Sequence, residues 1–152
     1  MCIRDSVETM LWTEFARQAV LDLRRLIDAI ERIDELDANR LVFVGFSLGG
    51  ILGSVFCGVD ARPRAAAIAI AGAGRGGSPL DPLGYIAKVA PRPLLFVNAE
   101  NDELISRKQT ERLFEAASDP KEIHWYDSGH QDLPGVALKK IWSFAREQLG
   151  IG

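Results

Sequence analysis

The chain is poor in cysteine, in histidine and in surplus positive charge, and each shortage removes a class of protein. Two cysteines in 152 residues cannot build a disulfide framework. Cys2 stands in the opening stretch, and Cys57 lies within an apolar helical pattern where it reads as a small core residue. A net charge of -3 offers no basic surface to a polyanion, and aromatic and basic residues are not interleaved, so nucleic acid is excluded as a partner. No apolar run approaches the roughly 20 residues of a membrane helix, and the N-terminus lacks a charged and then apolar signal segment. A cytoplasmic, membrane-free protein is the expectation. The glycine-rich stretch from Gly72 to Pro79 resembles a phosphate cradle only superficially, because no Lys-Ser or Lys-Thr follows and no G-x-G-x-x-G opens a long helix. Neither a nucleotide nor a metal or other cofactor is implied.

With 47% hydrophobic residues, the chain can bury one core, so a single domain is expected. Residues 1–6 carry no periodicity and join abruptly to a helical pattern. They read as a non-native leader, with residues 7–152 forming one partial domain. From Thr13 to Leu36 the apolar Ala16, Val20, Leu23, Ile27 and Ile30 step by three or four, which predicts an amphipathic helix whose charged face is solvated. Leu41 to Val44 is an uninterrupted apolar run too short for a helix, as in a strand covered on both faces. Leu48, Ile51, Leu52, Val55 and Phe56 return to helical spacing, and Gly58 is a candidate left-handed helix stop.

Further strands are predicted at Ala65 to Ala71, Pro93 to Asn98 and Glu122 to Tyr126. Between them lie a short helix from Asp81 to Val89 and a helix to about Ala117, opened by a Ser106/Gln109 capping box. Asp132 is the expected cap of a last helix, Leu133 to Leu149. Short apolar strands alternating with helices imply an α/β fold, a parallel sheet of about four strands with helices on both faces and right-handed crossovers. Those crossovers would put the intervening helices on one face and leave the last helix to cover the other almost alone. The first strand would keep one unpaired edge.

Ser47 occupies the corner between the first strand and its helix, in the sequence Gly45-Phe46-Ser47-Leu48-Gly49-Gly50. So tight a corner strains the central residue and demands small neighbours, a demand that Gly45, Gly49 and Gly50 meet. It also leaves the Leu48 amide at a helix N-terminus, aimed where an oxyanion would form. A G-x-S-x-G match arises by chance in about one chain in twenty of this length, so its position between strand and helix is what gives it weight.

A serine hydroxyl needs a base to take its proton, and an imidazole base needs a carboxylate to fix its tautomer. Only two histidines are available. His124 falls inside a strand, whereas His130 falls on a loop beyond a strand end, on the same sheet edge as Ser47. Asp102 lies on the loop beyond the third strand, at that edge too. Glu100 and Asp127 are rival acids, and a plain turn or capping role for Asp102 stays open.

Three segments, Gly45-Phe46-Ser47-Leu48-Gly49, Asn98 to Ile105 and Tyr126 to His130, together resemble the C-terminal half of an α/β-hydrolase of the dienelactone-hydrolase-like and acyl-peptidase-like esterase group. The likeness runs from about Val20 to Leu149. It implies Ser47 as nucleophile, Asp102 as acid, His130 as base, and a small-molecule carboxylic ester as substrate. Where the dienelactone hydrolases proper carry cysteine, this chain carries serine, which favours a general ester hydrolase. The family also has strands ahead of the first helix, so the resemblance implies a truncated α/β-hydrolase fold. Peptidase or thioesterase activity on the same fold, and a non-catalytic hydrolase-derived binding module, are the alternatives.

Overall fold

The computed structural model describes residues 3–74 and 78–151. Four strands, β1 (Val42–Phe46), β2 (Ala65–Ala69), β3 (Leu94–Ala99) and β4 (Lys121–Tyr126), form one parallel sheet in the order β1-β2-β3-β4. The helices are α1 (Ile3–Ile30), α2 (Leu48–Val59), α3 (Arg107–Ala116) and α4 (Gly135–Leu149). Each connection between neighbouring parallel strands must cross over, and consecutive right-handed crossovers stack on one face. Accordingly, α1, α2 and α3 share a core with one side of the sheet, built on Val20, Val55, Phe56, Ile68, Phe96 and Leu113. The other side is covered by α4, through Ala137, Ile141 and Phe144 against Ala67, Leu95 and Val97. Strand alternation explains the split: Ala66 and Ile68 of β2 belong to the first core, Ala65, Ala67 and Ala69 to the second.

Burial is deepest in the middle strands. All of β2 and β3 is buried, and Phe96 and Leu113 have no exposed surface, each contributing about 1.5–3 kcal/mol over an exposed side chain. β1 and β4 are the edges, and on β1 Val44 and Phe46 are 39% and 41% exposed.

An ionic knot fastens α1 to the turn between α2 and β2. Asp60, its side chain almost fully buried, accepts from Arg62 (2.9 and 2.6 Å) and from Arg24 (3.2 Å). Arg62 reaches on to Asp28 and Glu31 of α1 and its neighbourhood. Hydrogen bonds from Arg62 hold the Asp60 carboxyl below the usual carboxylate range, although burial works against them. Burial, opposed by the Arg92 charge and aided by that of Asp60, pushes the neighbouring Cys57 thiol up to about 12, so this thiol stays protonated.

Several element ends differ from the sequence pattern, each for a tertiary reason. α1 begins at Ile3, within the stretch set aside as a leader. It stops at Ile30, where hydrogen bonds shorten to the i to i-3 type, and Ile33 and Leu36 stay about half exposed with no core to face. Gly58 does not end α2. The helix runs to Val59, and Gly58 is instead pressed on Tyr85, whose carbonyl oxygen would lie 2.5 Å from an added Cβ. The C-terminal carbonyls of α2 are capped by the Arg92 guanidinium, which donates to Cys57, Asp60 and Pro63. The helix expected over Asp81 to Val89 is two 3₁₀ turns, Pro82–Gly84 and Ile86–Val89. Asp132 does not cap α4, whose N-cap is Pro134, because its carboxylate turns back to the Gly129 amide. The Ser106/Gln109 capping box of α3 forms in full.

Candidate active site

Three loops at the carboxyl ends of β1, β3 and β4 converge. At the first, Ser47 takes φ 49° and ψ -117°, a conformation that costs an L-residue energy and is found where surrounding structure over-determines it. The surroundings here are explicit. The Ser47 amide donates to Ala69 O at 2.9 Å, tying the corner to the end of β2, and Ser47 O accepts the Ile51 amide that starts α2. A Cβ on Gly45 would lie 2.4 Å from Gly49 O, and one on Gly50 would lie 2.7 Å from the Ala71 Cβ, so these two glycines allow the strand to pass the helix closely. Gly49, the other glycine of the motif, is different: a Cβ there meets nothing within 4 Å, and no steric demand keeps it.

The Ser47 side chain does not cap α2. Its Oγ instead lies 2.8 Å from His130 Nε2. Leu48 is the first residue of the helix, so its N–H belongs to the group that has no intrahelical acceptor and faces outward at the positive end of the helix dipole.

Beyond β3, Asp102 is locked on both sides. Its Oδ1 accepts the amides of Leu104 and Ile105 at 2.9 and 2.8 Å, and His130 Nδ1 lies 2.9 Å from Oδ1 and 2.8 Å from Oδ2. Because the carboxylate can only accept, the neighbours place the imidazole proton on Nδ1 and leave the Nε2 lone pair for the serine hydroxyl. The side chains of His130 and Asp102 are only 7% and 5% exposed, so water competes little for these bonds.

The rivals sit elsewhere. His124 pairs with Glu122 at 3.1 Å on β4, and 38% of its side chain is exposed. Asp127 accepts from the Asn101 side chain at 2.8 Å. Glu100 is exposed, and its amide donates to Tyr126 O. Both ring nitrogens of His130 are already occupied by Asp102 and Ser47. Two features escaped the sequence reading. Glu103 Oε2 accepts the His130 amide at 3.2 Å, and the Asn98 side chain, 2% exposed, has neither its oxygen nor its nitrogen hydrogen-bonded among the described residues.

A cavity of about 650 Å³, within the range of small-molecule sites, opens beside this cluster. Ile51, one turn along α2 from Ser47, lines it together with Leu104 and Ile105, whose amides hold Asp102. Trp12 and Gln109 line it as well. Among the described residues no cluster of three or more His, Cys, Asp or Glu is arranged to hold a metal, and no helix is long and apolar enough to cross a membrane.

An all-parallel sheet with a strained serine corner at its carboxyl edge, met there by loops bearing an acid and an imidazole, is the α/β-hydrolase fold. The chain belongs to the dienelactone hydrolase family, whose sequence model matches residues 2–131. Solved structures agree on the fold. An α/β hydrolase from Penicillium, GrgF, superposes with a TM-score of 0.79 at 14% identity, over 89% of this chain and 73% of that one. A cold-adapted esterase from an Arctic intertidal metagenomic library gives 0.76 at 21% identity, over 90% and 59%. The Bacillus cereus carboxylesterase gives 0.68 at 20%, over 89% and 62%. The chain thus spans about three fifths of the length of the two esterases. No curated protein sequence matches it.

Proposed function

We propose that the domain hydrolyses carboxylic esters through an acyl-enzyme on Ser47. The observation that carries this reading is the unbroken relay Ser47 Oγ, His130 Nε2, His130 Nδ1, Asp102, with distances of 2.8 Å at each end. His130 Nε2 takes the hydroxyl proton as Oγ bonds to the acyl carbon, and the Leu48 amide donates to the oxyanion that forms. Asp102 steadies the resulting imidazolium without taking its proton. Collapse of the tetrahedral adduct breaks the bond to the alcohol oxygen, which leaves with the proton from Nε2. A water molecule then repeats the sequence: His130 removes its proton, its oxygen bonds to the acyl carbon, and the carboxylic acid departs as Ser47 recovers a proton. Family membership and the esterases among the structural neighbours support an ester as the bond broken.

The test is covalent labelling with a fluorophosphonate, read by peptide mass, beside hydrolysis of p-nitrophenyl acetate. Label should sit on Ser47. His130→Ala should slow labelling by several powers of ten, and His124→Ala should leave it near the starting rate. Label that persists in Ser47→Ala, or equal losses in the two histidine variants, would overturn the reading.

A further inference from the structure

The loop that carries His130 is stitched to the acid loop up to residue 128 and then runs almost unsupported. Glu100 N donates to Tyr126 O at 2.8 Å, Asn101 N to Ser128 O at 3.0 Å, and the Asn101 side chain to Asp127 at 2.8 Å. From Gly129 to Leu133, among the described residues, the backbone turns at His130 and Gln131 but makes no backbone hydrogen bond to another element. Beside the ring contacts of His130 to Asp102 and Ser47, two carboxylates hold its backbone. Asp132, from the same loop, accepts the Gly129 amide, and Glu103, from across the gap, accepts the His130 amide at 3.2 Å. Both close over Gly129: an added Cβ there would lie 3.1 Å from the Asp132 oxygen and 3.2 Å from that of Glu103.

We propose that Glu103 is a positioning residue for the base, setting the height of the imidazole between Ser47 and Asp102 by gripping the backbone of His130. The proposal rests on the reading of Ser47, His130 and Asp102 as a catalytic relay. Its physical ground is leverage. The His130 side chain must keep two bonds of 2.8 Å at opposite ends of one rigid ring, so a backbone drift of a few tenths of an ångström lengthens one of them. Asp102 is fixed by amides of its own loop, and Ser47 by its strand and helix. The acid and the base both lie on stretches without a backbone ladder, but the base's main chain is tied to another part of the sheet edge through Glu103. The neighbouring position thus has a separate duty: Asp102 binds the ring of His130, and Glu103 binds its main chain. What Glu103 supplies is an acceptor oxygen at a particular reach; its charge is not the operative property.

Three substitutions separate these properties, each compared with wild type by the second-order rate of fluorophosphonate labelling and by thermal melting. Glu103→Gln keeps the reach and an acceptor oxygen but removes the charge. Glu103→Asp keeps the charge but withdraws the oxygen by one methylene. Glu103→Ala removes both. Labelling in Gln should stay within twofold of wild type, and Asp and Ala should each fall roughly fivefold to tenfold, the size of one lost hydrogen bond. Because Glu103 is exposed, melting should change little in any of them. Equal rates in all four proteins, a slow Gln beside a fast Asp, or losses that simply track the melting temperature would each overturn the proposal. Failure of the catalytic reading itself would look different, since wild type would then not label at Ser47.

Discussion

Asp102→Asn removes a single charge and no volume, yet the hydrogen-bond geometry determines which way the new amide faces. In the native protein Oδ1 accepts two backbone amides, from Leu104 and Ile105, while Oδ2 stands 2.8 Å from His130 Nδ1. An asparagine can satisfy both backbone donors only by putting its carbonyl oxygen at the Oδ1 position. The opposite orientation would give up two hydrogen bonds of about 1 kcal/mol each and set NH₂ against N–H. The NH₂ group is therefore driven to the Oδ2 position, facing the imidazole. There it can only donate, and the oxygen at the Oδ1 position, 2.9 Å from Nδ1, is already shared by two amides, so the tautomer with the proton on Nε2, pointing hydrogen at the Ser47 oxygen, is favoured. The base arrives already protonated. Serine triads in which this change has been made lose about 10⁴ in rate, equivalent to about 5.4 kcal/mol of transition-state stabilisation. The two backbone bonds survive, so the melting temperature should shift by only a few degrees. Fluorophosphonate labelling and p-nitrophenyl acetate hydrolysis, run with a thermal melt, read both quantities. An Asp102→Asn variant that keeps more than about a tenth of the wild-type rate, or a larger loss from Glu100→Gln, would refute this chain of argument.

The two glycines of the serine motif should part company. Gly45→Ala drives a Cβ into the Gly49 carbonyl and should destabilise the domain by about 1–3 kcal/mol or more in urea, whereas Gly49→Ala, with open space around its Cβ, should cost far less. Comparable losses would show that the strand-to-helix packing has been misread. A third expectation concerns acid. Since folding lowers the Asp60 carboxyl below its unfolded value, its contribution is complete above about pH 4 and fades as pH falls through the lower, folded value. Urea midpoints measured at pH 7 and pH 3 should therefore differ less in Asp60→Asn than in wild type, and an unchanged difference would remove Asp60 from the acid response.

Where the sequence was legible, the cause was local. Strands buried on both faces must be unbroken apolar runs, so β2 and β3 stand out; β1 is as apolar but lies at an edge and is only partly covered, so the double cover expected for it is not found, and Ser47 between Phe46 and Leu48 marks the corner because both periods meet there. Parallel order followed from the alternation of elements, and with it the edge to which Ser47, Asp102 and His130 project. With two histidines in the chain, finding the imidazole beside Ser47 reduced to strand against loop, and it is His130 that lies there. What depended on distant contacts did not show. Gly58 answers to Tyr85, far along the chain, and Asp132 to the Gly129 amide rather than to a helix start. The reach of Glu103 to His130 requires knowing how two loops lie side by side, and no spacing encodes that.

One helix carries a particular exposure. Among the described residues α4 alone covers its face of the sheet, and only four residues separate His130 from its first turn. Proteins open locally in contiguous cooperative units whose free energies range from near zero to that of global unfolding. Transient lifting of α4 would draw His130 away from Ser47 and bare the Ala67, Leu95 and Val97 face of the sheet, leaving only the face under α1, α2 and α3 covered. If Ser47 and His130 act as proposed, activity would depend on how much of the time α4 is seated on the sheet.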